Sequence, residues 1–444
     1  MSTPTEAPTE AAEPVAGAGA DERERRYRLA FVAVVLGALV LRLVWILAFQ
    51  RFDELHGDAI YYHFQANELA EGDGFIEPFK SAAVGFHIAT AYHPPLYPLA
   101  LAVVSLLGGT SITAHQVAGA FLGAGTVLVL GLLGRYLFGW RTGIAVAVVA
   151  ALHPNLWIAD GLILPETPYA LVVGGAILAA YRLVDRPGRG RAAVLGLVLG
   201  AASLIRGEGA VFAAVLTVPL LLVFLRSVPT MARLRLLAVS GVVAVLVISP
   251  WVVRNLRAFE EPTLLSTNGG TTLAAANCPL TYRGEHLGYF SVNCWAIEGT
   301  PPLEDSLQDQ FWRRRAFDYI SDNFSRVPVV VAARVGRVWE VYRPADNRRN
   351  DQFEERHKGA AWAGLFAFYA LIPLAVLGLA RLRRAGRLLW PLVAPFVFVT
   401  MITIVFYGNT RFRVPAEVAL VVLAGIGIAG LLDRWRPPPE PAAS

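Results

Sequence analysis

The chain alternates long apolar blocks with short polar ones. Blocks near the 20 residues that a helix needs to cross a bilayer lie at 29–49, 113–137, 142–161, 167–184, 191–206, 209–225, 235–253, 361–380, 388–407 and 412–432. This pattern predicts an all-α integral membrane protein with about ten transmembrane helices. A further apolar stretch, 94–107, is only about 14 residues long and opens with Pro94-Pro95. Upstream of it, the segment from His56 to Tyr62 opens a short helix with Asp58 at its N-cap. Ala59, Tyr62, Ala66, Leu69 and Ala70 recur along it at helical spacing, and Gly72-Asp73-Gly74 ends it.

Composition makes the membrane reading firm. The sequence is 55% hydrophobic and 16% charged over 444 residues, more apolar surface than a soluble domain of that size can hide. Lys and Arg outnumber Asp and Glu by 39 to 34, yet Lys80 and Lys358 are the only lysines. The arginines gather at the ends of apolar blocks, which points to membrane orientation and away from a nucleic-acid partner.

That charge pattern sets a topology. Arg23, Arg25, Arg26 and Arg28 place the N-terminus in the cytoplasm. Arg135/Arg141, Arg182/Arg186/Arg189/Arg191, Arg226/Arg233/Arg235, Arg381/Arg383/Arg384/Arg387 and Arg434/Arg436 join them on the same side only if 94–107 does not cross. The short stretch is therefore expected to be an interfacial or re-entrant helix inside a first external loop, 50–112, with a second external segment at 254–360. Both termini are cytoplasmic in this reading: a disordered tail at 1–28, a membrane domain at 29–432, and a tail at 433–444. The first block follows Asp21–Arg28 and is long enough to stay as an anchor in the cell membrane.

With the spans so oriented, Asp58, His93, Asp160, Glu166, Arg206, Glu208, Arg254, Arg257, Arg411 and Arg413 all fall at outer ends or in outer loops. Charges gathered at one face suggest a site at the membrane–water boundary rather than a path through the midplane. External arginines run against the charge bias and call for an external anion, a lipid phosphate being the obvious one. Asp58 reads either as a helix cap or as a general base near the membrane surface. Glu166, in Leu164-Pro165-Glu166-Thr167-Pro168, reads as a first-turn acid or as a second site acid. If the two acids meet, they could share a divalent metal through oxygen ligands.

Arg206, Arg254, Arg411 and Arg413 are each an interfacial anchor or part of a phosphate cluster, and His93 an interfacial polar residue or part of a phosphate or metal site. Cys278 and Cys294, the only cysteines, share the second external segment. A disulfide between them would close a loop worth roughly 3 kcal/mol; two free buried thiols are the alternative. No zinc spacing, phosphate-binding glycine loop, dinucleotide fingerprint or nucleophile elbow stands out.

Certain motifs, in their order and spacing, make a more specific signal. They are Gly57-Asp58-Ala59 with Tyr61 and Tyr62, Tyr92-His93-Pro94-Pro95-Leu96-Tyr97-Pro98, Pro165-Glu166-Thr167, Leu204-Ile205-Arg206, Pro250-Trp251-Val252-Val253-Arg254-Asn255, and Arg411-Phe412-Arg413-Val414-Pro415. From about residue 30 to 432 the chain resembles the GT-C glycosyltransferases. The resemblance is to family 39, the protein O-mannosyltransferases and the bacterial transferases that move aminoarabinose onto lipid A.

The resemblance implies an inverting sugar transfer from a polyprenyl-phosphate-linked donor to a hydroxyl on a glycan, lipid or protein acceptor at the outer face. In that family the first-loop aspartate is the catalytic base, which Asp58 matches, and an acid of the second external loop organises the site, which Glu166 matches. Arg206 stands where the lipid A transferases carry Lys and contact the donor phosphate. His93 also aligns with a Lys of those enzymes, while Arg254, Arg411 and Arg413 extend the phosphate cluster and Tyr61 and Tyr62 line the substrate site. Alternative readings are a polyprenyl-linked glycan flippase, a ligase-like transferase marked by a large late loop, and a non-catalytic assembly subunit.

The topology is directly testable. Single cysteines placed in 254–360 should react with an impermeant maleimide on intact cells; labelling only after the membrane is breached contradicts the orientation.

Overall fold

The computed structural model describes residues 16–52, 55–297, 300–350 and 356–434. Among them the chain is helical, with one isolated antiparallel bridge between Ile76 and Ala89. The helices run in order as α1 (Ala16–Ala48), α2 (Gly57–Glu71), α3 (Pro78–Val84), α4 (Leu96–Leu106), α5 (Ile112–Phe138) and α6 (Trp140–Leu152). There follow α7 (Pro154–Trp157), α8 (Glu166–Asp185), α9 (Arg189–Ile205), α10 (Gly209–Pro219), α11 (Thr230–Ala258) and α12 (Gly269–Ala276). The last six are α13 (Asp305–Asp322), α14 (Val327–Val338), α15 (Pro344–Asn350), α16 (Lys358–Arg384), α17 (Trp390–Val405) and α18 (Val414–Arg434).

Among the described residues, six segments are by length and composition able to cross a membrane: α1 from Asp21, α5, α8, α11, α16, and α18 with the turn before it. The other four expected spans fall on the shorter helices α6, α9, α10 and α17. The block 142–161 is not one helix. It stops at Leu152 because Pro154 has no N–H to continue the ladder and instead starts the short α7. The chain then turns through 158–165, with Ile163 in the left-handed region (φ 50), and this turn carries Asp160 inward, where it is buried.

The amino-terminal boundary also shifts. Helix α1 begins at Ala16 rather than after residue 28, and pairs four residues apart extend it: Arg26–Glu22 at 2.5 Å and Arg28–Glu24 at 2.7 Å. The remainder of the expected tail, 1–15, and the end from 435 lie outside the described residues.

Burial shows which helix is central. In the span containing α18, 83% of the most apolar stretch is buried, against 22% in α1 and 17% in α11. The outer faces of α1 and α11 are apolar and exposed, through Leu29, Val32, Leu36, Val40, Val242, Val245 and Leu246, as lipid-facing helices should be. Close approach of α18 to α16 needs small residues. A Cβ on Gly378 would lie 1.9 Å from the Leu423 carbonyl oxygen, and one on Gly427 2.1 Å from that of Leu374.

The two polar segments fold onto one end of this bundle. In the first, Ala59, Tyr62 and Ala66 of α2 pack against Tyr97, Leu101 and Ala102 of α4 and against Leu162–Leu164. Helix α4 is roughly 16 Å long, about half a hydrocarbon core. It buries one apolar face and exposes another, Leu99, Val103 and Leu106. The second segment, α12 to α15, is stapled by a Cys278–Cys294 disulfide (Cα–Cα 5.9 Å). It docks on the first where the buried Asp305 meets Lys80 Nζ and the Thr90 hydroxyl, each at 2.6 Å.

Intact-mass analysis after non-reducing denaturation and alkylation should show no modified thiol. Reduction should lower the unfolding free energy by roughly 3 kcal/mol in the chain-entropy account. Two alkylated cysteines, or an unfolding transition indifferent to reductant, contradict this staple.

Candidate active site

Helix α2 starts at Gly57, whose φ of 54 turns the chain out of the preceding strand-like residue. The N-cap is His56, without a side-chain cap bond, so Asp58 sits in the first helical turn and not at the cap. Its carboxylate is thereby released from capping. Arg411 Nη2 donates to Asp58 Oδ2 at 3.0 Å, and His93 Nε2 lies 3.4 Å from Oδ1. Arg411 comes from the 3₁₀ turn Thr410–Arg413, which the Asn409 side chain caps through the Arg411 N–H. His93 is buried and stacks on Tyr62 with ring centroids 4.5 Å apart, while Tyr61 and Tyr92 meet it edge-on.

The same guanidinium reaches a second acid. Arg411 Nε donates to Glu166 Oε1 at 2.7 Å, and Arg206 Nη1 donates to that same oxygen at 2.6 Å. Arg206 Nε donates in turn to Glu208 at 2.5 Å. The result is a chain of alternating charge, Asp58–Arg411–Glu166–Arg206–Glu208, with His93 at its open end. Glu166 is the first residue of α8, where the helix dipole also favours its charge. Its side chain is 1% exposed and Asp58's is 33% exposed, so of these two acids Asp58 is the one an outside molecule can meet. Burial pushes the Asp58 carboxyl up, but His93 and Arg411 outweigh it and hold the group below the usual carboxylate range.

Two of the expected phosphate-binding arginines are elsewhere. Arg254 donates to the backbone carbonyls of Thr90 (2.8 Å) and Phe75 (3.0 Å), tying α11 to the first loop. Arg413 is two residues from Arg411, about 120° round a three-residue turn, and points into a separate buried cluster. There it meets Glu417 at 2.6 Å, Glu340 at 3.5 Å and the Val338 carbonyl at 3.0 Å, with His153 at 2.7 Å from Glu417.

Sequence reasoning gave no role to Glu208, Lys80, Thr90 or Asp305. Glu208 is two residues from Arg206 and its pairing could have been read; Asp305 meets Lys80 across 225 positions with no local signal.

A divalent ion shared by Asp58 and Glu166 does not suit this arrangement. The Arg411 guanidinium already bridges the two carboxylates, and among the described residues no three His, Cys, Asp or Glu side chains are grouped to hold a metal.

Residues 92–253 match the family described as dolichyl-phosphate-mannose-protein mannosyltransferase. That range holds His93, Glu166, Arg206 and Glu208. The structure is similar to the oligosaccharyltransferase AglB from Archaeoglobus fulgidus, solved with an inhibitory peptide and a dolichol-phosphate. The TM-score is 0.54 at 14% identity over 91% of this chain and 50% of that one. The fold is that of the GT-C glycosyltransferases. This chain spans about half the length of AglB. The archaeal enzyme solved with Zn and sulfate is also similar, with a TM-score of 0.52 at 15% identity over 90% of this chain and 49% of that one. ArnT from Cupriavidus metallidurans bound to undecaprenyl phosphate aligns at 16% identity over 91% of this chain and 78% of that one, with a TM-score of 0.43. No curated protein sequence matches this one.

The alternating charges make a pH prediction. Asp58 has a depressed pKa, so the stabilisation it gains from His93 and Arg411 is present above the ordinary carboxylate value and lost as pH falls through the folded value. Replacing Arg411→Gln removes one of those charges, and the loss of stability on acidification should begin at a higher pH. A pH profile of unfolding stability whose acid limb does not move in Arg411→Gln contradicts the assignment of Arg411 to Asp58.

Proposed function

We propose that this chain is an inverting glycosyltransferase that moves a sugar from a polyprenyl-phosphate donor to a hydroxyl acceptor at the outer face of the cell membrane. The catalytic unit in this reading is 29–432, with 50–112 and 254–360 external and both termini cytoplasmic. The observation that carries it is one partly exposed carboxylate, Asp58, hydrogen-bonded to an arginine that shares Glu166 with a second arginine. The family match over 92–253 and the fold shared with AglB support it.

Each part then has a chemical role. Asp58 accepts the acceptor's proton as the hydroxyl oxygen bonds to the anomeric carbon from the face opposite the phosphate. The bond from that carbon to the phosphate oxygen breaks, and its electron pair leaves with the lipid phosphate. Arg206 and Arg411 stabilise the charge that develops on the leaving group, while Glu166 fixes the distance between them. Three carboxylates face these two arginines, so the phosphate must displace one of them. Glu208 is the more exposed partner of Arg206, 18% against 1% for Glu166, and is the one that gives way. His93, stacked on Tyr62, orients Asp58. The acceptor is a glycan, lipid or protein, and the transferred group a hexose or pentose.

The variant Asp58→Asn separates base from scaffold. It keeps the side chain's size but cannot take a proton at neutral pH, so turnover should fall on the order of 10²–10⁴-fold while donor binding persists. Arg206→Ala should weaken donor binding as well as turnover. Transfer from a polyprenyl-phosphate sugar in nanodiscs, with binding measured separately, is the check. Near-wild-type turnover in Asp58→Asn defeats the mechanism.

A further inference from the structure

Behind Glu166 lies a small cavity, about 10 Å³, whose wall includes Arg42, Gly123, Thr126, Asn155, Asp160 and Glu166. Two of these residues carry a buried atom with no hydrogen-bond partner: Arg42 Nη2, a donor, and Glu166 Oε2, an acceptor. Buried polar atoms are seldom left unsatisfied, and a polar cavity of that volume holds one water. Thr126, in the same wall, donates its hydroxyl to the Leu122 carbonyl at 3.2 Å and keeps oxygen lone pairs that can accept.

The chain has made room for this arrangement. Arg42 rises from the α1 span, where a charge is costly unless it is paired. Its Nε donates to Asp160 Oδ2 at 2.5 Å and its Nη1 to the Ala38 carbonyl at 3.1 Å, while the Thr167 hydroxyl donates to Asp160 Oδ1 at 2.9 Å. Helix α5 presents glycines to this pair. A Cβ on Gly123 would lie 2.0 Å from Asp160 Oδ2 and 2.7 Å from Arg42 Nε, and one on Gly119 would lie 1.8 Å from the Asp160 carbonyl oxygen. The third guanidinium nitrogen of Arg42 is thus left without a partner, in a residue that shares the cavity wall with Glu166.

We propose that a single ordered water occupies this cavity and links Arg42 Nη2 to Glu166 Oε2, making Arg42 and Asp160 positioning residues for the Asp58–Arg411–Glu166 chain. Both arginines of that chain sit on one oxygen of Glu166. Without a hold on the other oxygen, the carboxylate rotates and changes the spacing of Arg206 and Arg411. The water fixes that rotation. The catalytic consequence rests on the glycosyl-transfer reading; the water does not.

A high-resolution structure of the full chain tests the first part. One solvent peak within hydrogen-bond distance of both Arg42 Nη2 and Glu166 Oε2 is expected, and an empty cavity beside other well-defined buried waters overturns the proposal. For the second part, Arg42→Met should lower kcat on the order of 10- to 100-fold with donor KM little changed, as misplacement of catalytic groups does. Arg42→Lys, which keeps a charge and donors, should recover part of the loss. Wild-type kcat in Arg42→Met, or no difference between Met and Lys, overturns the positioning role. Should Arg42→Met not fold, Thr126→Val leaves the ion pair intact and should weaken the solvent peak and lower kcat several-fold; no change in either overturns the proposal. If the wild-type chain transfers no sugar, the proposed function fails, and the inference is decided by the solvent peak and by whether Glu166 turns away from Arg411 in the Arg42→Met structure.

Discussion

One oxygen of a buried glutamate organises this end of the molecule. Glu166 Oε1 accepts from both Arg206 and Arg411, residues 40 and 245 positions away. A buried carboxylate is stable only if it is paired and hydrogen-bonded, and breaking such a pair costs far more than forming it gains. The ends of α8 and α9 and the turn before α18 are therefore held in one place, and Asp58 on α2 is joined to them through Arg411. Because the charges alternate along the chain, each acid is held by a base, and Glu166 offsets the repulsion between the two arginines that share its oxygen.

The membrane fold supplies what this network needs. Helix α18 is surrounded by its neighbours, so the turn that carries Arg411 is anchored to the most buried element of the bundle. Small residues let α16 and α18 approach closely, and α5 gives up side chains at Gly119 and Gly123 to admit the Asp160 turn. On the polar side, Asp305 holds Lys80 and Thr90, and Thr90 also contacts Tyr61, whose ring meets His93. The late segment thus reaches the histidine beside Asp58 through a short run of hydrogen bonds and ring contacts.

Much of this was readable from residue pattern. Asp58 in the first loop and Glu166, Arg206 and Arg411 at the ends of apolar blocks lie on one predicted side, and the fold brings all four together. Direction was less readable than position. Arg411 and Arg413 share one motif, but a 3₁₀ turn sends them to different partners, and no periodicity announces that turn. Arg254 sits at an equally suggestive block end, yet the nearest acceptors are the carbonyls of Phe75 and Thr90, whose placement depends on long-range packing. The break at His153-Pro154 was hidden because the apolar composition continues past the proline, although the proline itself is the physical cause.

The central claim is that the donor phosphate is received by the arginines that Glu166 holds. A structure of the full chain with a polyprenyl phosphate bound tests it most directly. The account predicts phosphate oxygens on Arg206 and Arg411 within reach of Asp58, with Glu208 turned away from Arg206 and Glu166 still bonded to both arginines. A phosphate seated beside Arg254 or Arg413, with the Asp58–Arg411–Glu166–Arg206–Glu208 chain intact, would contradict it.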